Sequence, residues 1–71
     1  MLYAKKEDLM ERRVKSGMSK LELARRIGSN HSVVCRAEAG NNVSPKTAKA
    51  ICDVLGARFD DLFIIDMKKE V

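Results

Sequence analysis

Apolar residues along this chain recur at helical spacing in short runs, and each run is closed by a glycine or opened by a capping residue. Leu2 to Ser16 contains neither Gly nor Pro and reads as a first helix with Leu9 as its clearest core position. Glu7, Asp8 and Glu11 lie toward its first half, while Arg12, Arg13 and Lys15 close it, the order that the helix dipole favours. Gly17 ends it. Ser19-Lys20-Leu21-Glu22 then has the S-x-x-E form of a capping box, in which the Ser19 hydroxyl accepts from a first-turn N–H and Glu22 reaches back to the N–H of Ser19. Met18, just before the cap, is placed to staple against Leu23. Leu23, Ala24 and Ile27 supply the apolar stripe of this second helix, and Gly28 follows where a left-handed residue most easily stops it.

Ser29 and Asn30 can both cap a third helix, and Gly40 closes it. At about 100° per residue, Val34, Ala37 and Glu38 fall on one face. Ser32, Cys35, Arg36 and Ala39 point the other way, with Asn30 and His31 at the leading end. Two capped helices joined at a tight corner containing Gly form a helix-turn-helix pattern. The outer face is small, polar and cationic, which suits close approach to base edges in a DNA major groove. An ordinary solvated face carries the same residue types, so the face alone leaves both readings open.

Ser44-Pro45 is a strong helix start, a capping serine with proline at the first helical position. Ala48, Ile51, Cys52 and Leu55 form the buried stripe of this fourth helix, and Gly56 stops it. Residues 58–63, RFDDLF, predict a short fifth helix. The tail from Ile64 to Val71 is either more helix or an extended strand, and no alternating strand pattern precedes it. The prediction is an all-α protein, a compact bundle of five helices in a single domain over residues 1–71.

Composition narrows the function. The chain has 71 residues and a net charge of +4. Residues 1–52 hold eleven Lys/Arg against five Asp/Glu, and the remainder holds three against five. A basic N-terminal part favours a polyanionic partner, although solvated basic faces are common. Three aromatic residues are too few for a base-stacking platform. Cys35 and Cys52 form no C-x-x-C pair and read as reduced thiols of a cytoplasmic protein. No run of apolar residues approaches membrane-spanning length, and no export signal opens the chain.

With these residues in place, the chain resembles the phage Cro-and-repressor family of helix-turn-helix proteins, also called the XRE family. The resemblance runs from about Leu9 to Phe63. It rests on Ser19-Lys20-Leu21-Glu22-Leu23-Ala24, Ile27-Gly28, Val34, Glu38-Ala39-Gly40, Ser44-Pro45 and Leu55-Gly56. It implies a lambda-repressor-like DNA-binding domain whose third helix is presented to double-stranded DNA. By position, Asn30, His31, Ser32 and Arg36 fall where the family reads bases. Lys20, Val33, Asn41, Asn42 and Lys46 fall where it borders the phosphate backbone, and Arg13 is expected to pair with Glu38. Lys20 stands where Gln is frequent, which favours a phosphate contact over a base contact. Val33 replaces a frequent Ser or Thr and offers a methyl surface instead of a donor. Ala37 is smaller than the usual Leu or Ile, leaving Leu2, Tyr3, Met10 or Met18 to fill the volume.

Arg36 is the best candidate for direct readout, because a guanidinium can bond bidentately to the O6 and N7 of guanine. His31 and Cys35, four apart, could hold a metal, yet a zinc site ordinarily takes four ligands and no second pair exists. Glu38 has neither the partner nor the pocket of a general acid or base, and no Ser/His/Asp or Cys/His constellation can be drawn. No enzyme activity, cofactor, metal or small-molecule ligand is expected. The expected function is a sequence-specific transcriptional regulator, a repressor in form, working as a homodimer on a near-palindromic operator. The alternative is a protein-interaction module of the same fold, antirepressor or antitoxin-like, without strong DNA binding. Phe63, Ile64, Ile65, Met67 and Val71 put much apolar surface at the C-terminus, which points to a dimerisation tail over residues 64–71. A frayed chain end is the plainer account of the same residues.

Overall fold

The computed structural model describes residues 1–67. Its elements are β1 (Leu2–Ala4), α1 (Lys6–Lys15), α2 (Lys20–Arg26), α3 (His31–Glu38), α4 (Pro45–Leu55), α5 (Phe59–Leu62) and β2 (Phe63–Ile65). Five helices make an all-α helix-turn-helix fold, and β1 and β2 add a two-stranded ribbon. Local chemistry sets most of the helix starts. The Ser19 hydroxyl accepts from the Glu22 N–H, the Asn30 side chain from the Val33 N–H, and the Ser44 hydroxyl from the Thr47 N–H. Each satisfies one of the orphan donors of a first turn. The box at Ser19 is only half formed. The Glu22 carboxylate turns to Arg26, one turn on, at 3.0 Å.

The first helix is shorter than its composition predicts. Leu2 to Ala4 is a strand, and α1 begins at Lys6. The reason lies at the other end of the chain. Leu2 pairs with Ile65, Tyr3 with Ile64 and Ala4 with Phe63, antiparallel. The ladder runs on at both ends: Lys5 N donates to Leu62 O at 2.7 Å, and Asp66 N donates to Met1 O at 2.6 Å. Leu2, Ala4 and Phe63 share the buried face. The tail thus takes its extended alternative through Ile65. Residues 68–71, including Val71, lie outside the described residues.

The core gathers Leu9, Leu23, Ala24, Val34, Ala37, Ala48, Ile51, Leu55, Leu62 and Phe63 with the strand residues Leu2 and Ala4. Met18 and Ile27 pack against it from the two inter-helix turns. Of the residues expected to fill space beside Ala37, Leu2 is buried and Met18 half-buried, whereas Met10 is exposed. Phe59 and Phe63 meet with ring centroids 5.5 Å apart, closing the base of the bundle. Cys52 is buried on α4, where burial, with Asp53 adding to it, pushes its thiol up and keeps it protonated.

A single guanidinium joins three parts of this core. Arg13 Nε donates to Glu38 Oε2 at 2.6 Å and Nη2 to Oε1 at 3.2 Å, while Nη1 donates to Met18 O at 2.8 Å. The two side chains are only 10% and 6% exposed. Glu38 sits in the last turn of α3, where the dipole disfavours a carboxylate, and the bidentate cation offsets that cost. Every buried side-chain polar atom among the described residues has a partner.

Two stability predictions follow from these contacts. Glu38→Ala leaves a buried guanidinium without its carboxylate and should cost about 3–5 kcal/mol. Denaturant unfolding of both single variants and the double variant reads this directly, and additive losses would exclude coupling between Arg13 and Glu38. Gly40, after α3, has φ +89°, and a Cβ there would lie 2.9 Å from Cδ of Lys6. The lysine can swing aside, but the left-handed backbone cannot relax. Gly40→Ala should therefore cost about 1–2 kcal/mol in the same measurement.

Candidate nucleic-acid interface

Helix α3 is built to show one face. Val34 and Ala37 are buried beneath it, and the Arg13–Glu38 pair ties its last turn to α1. His31, Ser32 and Arg36 are exposed, with Val33 and Cys35 half-buried between them. Arg36 forms no ion pair and no side-chain hydrogen bond among the described residues. The i,i+4 pairs of the surface lie elsewhere, at Glu11–Lys15, Glu22–Arg26 and Lys49–Asp53. A long guanidinium held on a rigid helix without a carboxylate partner keeps all its donors for an incoming acceptor.

Asn30 divides its amide. Its Oδ1 caps α3 by accepting from Val33 N at 3.2 Å, so the NH₂ group is the part it can offer outward. Asn42 does the same on the loop after α3. Its Oδ1 accepts from Leu2 N at 3.2 Å, and Val43 N donates to Leu2 O at 2.8 Å. These bonds, with a bridge between Tyr3 and Asn42, fasten the loop against the outer edge of β1. Asn41, Asn42 and Lys46 are exposed along this border. Lys20 is half-buried at the first position of α2.

Between α3 and the start of α4 lies a cleft of about 190 Å³ lined by Val33, Arg36, Asn42, Val43, Ser44 and Thr47. Val43, Ser44 and Thr47 were not among the site residues legible in the sequence. Thr47 stands at the third position of a serine-capped helix, and that spacing is the signal that places it at the helix mouth. Its Oγ1 accepts from the Ser44 hydroxyl at 2.9 Å. The Thr47 hydroxyl, the Asn42 amide, Arg36 and a helix N-terminus border this cleft, a donor set that suits an oxyanion such as phosphate.

His31 and Cys35 touch across one turn, with Sγ 3.5 Å from Nδ1. Among the described residues no group of three or more His, Cys, Asp or Glu is gathered for a metal. A second, larger hollow of about 670 Å³ between α1 and α5 is lined by Lys5, Asp8, Glu11, Arg12, Lys15 and Asp61, among others. It mixes both signs of charge, unlike the border of α3, where Arg36 and Lys46 form no ion pair among the described residues. No helix among the described residues is long and apolar enough to cross a membrane.

The chain matches a family model described as helix-turn-helix over residues 9–62. It is also 39% identical over 59 residues to a protein of Archaeoglobus fulgidus named as an uncharacterized HTH-type transcriptional regulator, covering 82% of this chain and 84% of that one. No solved structure gives a significant match. The matched span opens at Leu9 in α1 and ends at Leu62 in α5, so it takes in α2 to α5 and all but the start of α1, and leaves out both strands. This chain belongs to the helix-turn-helix proteins of the Cro-and-repressor, or XRE, type.

Proposed function

We propose that the protein is a sequence-specific, double-stranded DNA-binding transcriptional regulator, a repressor that lays α3 in the major groove. The observation that carries this reading is Arg36, exposed and without a carboxylate partner among the described residues on a helix whose opposite face is anchored by Arg13 and Glu38. Family membership and the name of the archaeal relative support it. Arg36 reads a guanine; Ser32, His31 and the Asn30 NH₂ group lie along the same approach and contact neighbouring base edges. Lys20, Asn41, Asn42 and Lys46 contact phosphates on either side, and Val33 packs its methyls against the backbone.

The cleft between α3 and α4 extends this assignment. Thr47, whose hydroxyl proton is not used by Ser44, adds a donor to the phosphate-contacting border, beside Arg36 and Asn42. One bundle of this size covers few base pairs, so specificity calls for two copies on a near-palindromic operator. The regulator works in the cytoplasm, beside the DNA that it controls.

Selection of bound fragments from a random-duplex pool supplies the operator, and variants then separate the roles. Arg36→Ala should cost roughly 1–3 kcal/mol on the selected site and relax preference at one base pair. Lys20→Ala should weaken all sequences alike and lower the salt slope by about one. Equal weakening of every sequence by Arg36→Ala would make Arg36 a backbone contact. Failure to enrich any fragment, with negligible binding at low salt, would favour an interaction module of the same fold.

A further inference from the structure

We propose that Lys6 is a further phosphate contact, which extends the DNA-binding surface from the end of α3 onto the first turn of α1. This rests on the functional reading and adds to it a residue that the family match does not reach, since the matched span opens at Leu9. The placement comes from Gly40. A Cβ on Gly40 would lie 3.4, 2.9 and 3.6 Å from Cγ, Cδ and Cε of Lys6, so the lysine stem occupies the space that the missing side chain leaves. Gly40 is left-handed, with φ +89°, and opens the stretch Gly40-Asn41-Asn42 that borders the candidate interface. With Cε still beside Gly40, the ammonium one bond further on stands at the end of α3.

Contacts on both sides hold this arrangement. Asn42 and Val43 are fastened to Leu2, on the strand that leads into α1. Lys5 N donates to Leu62 O at 2.7 Å, which fixes the chain where β1 passes into α1. Arg13, about two turns along α1 from Lys6, holds Glu38, just before Gly40. The start of α1 and the end of α3 are thus held side by side, with the stem of Lys6 between them.

Neighbouring lysines take opposite sides. Lys5 Nζ donates to Asp60 O at 2.7 Å, toward α5, whereas Lys6 turns to α3. The residues three and four positions on from Lys6 are Leu9 and Met10. Its own helix therefore offers it no carboxylate of the kind that Lys15, Arg26 and Lys49 find in Glu11, Glu22 and Asp53. The Glu38 carboxylate, near Gly40, is already held by Arg13. The described chain leaves the ribbon beside Met1, at the end of β1 away from Lys6. Lys6 is exposed, yet its stem is packed along its length. Such a lysine loses less side-chain entropy on meeting a phosphate than one that starts free in solvent.

Lys6→Met keeps the packed stem and removes the charge. Affinity is measured for a random-sequence duplex and for the selected operator over a range of salt concentrations. Lys6→Met should weaken both roughly five-fold at low salt and lower the salt slope by about one, without changing which base pairs are preferred. Lys6→Arg should keep the slope of the original. Lys15→Met, whose lysine pairs with Glu11 on the opposite side of α1, should also leave it unchanged. The contact belongs to the ammonium, at the far end of the side chain from the Lys6 amide, so the salt slope is its readout. A cation at the end of α3 also complements the helix dipole. If that were its whole role, Lys6→Met would lower the unfolding midpoint and leave the salt slope as it was. An unchanged slope overturns the proposal, whatever the midpoint does. Where Arg36→Ala and Lys20→Ala behave as expected and Lys6→Met does not, this contact fails alone. An intact chain that binds no duplex overturns the functional reading and the contact together.

Discussion

The pose of α3 depends on one buried cation. Arg13 holds the Glu38 carboxylate with two donors and the Met18 carbonyl with a third, so α1, the turn before α2 and the last turn of α3 meet at a single guanidinium. An eight-residue helix is too short to persist by itself, and tertiary contacts must supply its stability. Val34 and Ala37 bury its middle, the Asn30 side chain caps its start, and Arg13 neutralises a carboxylate at its unfavourable end. A buried pair of this kind contributes less net stability than its Coulomb attraction suggests, since desolvation offsets most of it. Its contribution is orientation: the planar fork admits one geometry, and that geometry turns Arg36 and Ser32 outward.

The ribbon supports the same surface from the other side. Because Asn42 and Val43 bond to Leu2, the loop that follows α3 is fixed to β1, and β1 is fixed to β2. The border of the candidate interface is therefore continuous in hydrogen bonds with the strand edge at Ile65. A bundle of this size buries little core, and the two short strands contribute Leu2, Ala4 and Phe63 to it. The two strands are thus part of the fold's stability.

Features settled by near neighbours were legible in the sequence. Ser19, Asn30 and Ser44 cap through bonds to residues three positions on, and the stripe Ala48, Ile51, Cys52, Leu55 needs only helical periodicity. The outer face of α3 was readable for the same reason. What escaped depends on distant partners. Residues 2–4 have nothing that marks a strand until Phe63, Ile64 and Ile65 lie beside them, and a helix-compatible stretch was the natural reading of LYAKKEDL. Glu22 had two satisfactory partners, the Ser19 N–H and Arg26, and the choice between them is a matter of side-chain reach rather than of pattern. The approach of Thr47 to Arg36 required the packing of α4 against the rest of the bundle, which no local spacing encodes.

The central claim is that the surface of α3 and its flanks meets duplex DNA. Titrating isotope-labelled protein with a random-sequence duplex at low salt, and following backbone amide shifts, tests it without knowledge of the operator. Non-specific binding engages the phosphate-contacting surface first. The predicted result is a set of shifts confined to the start of α2 at Lys20, to His31–Arg36, and to the stretch from Asn41 to Thr47, all reversed by added salt. Shifts centred instead on α1 and α5, around Arg12 and Lys15, or no shifts at all, would contradict the account.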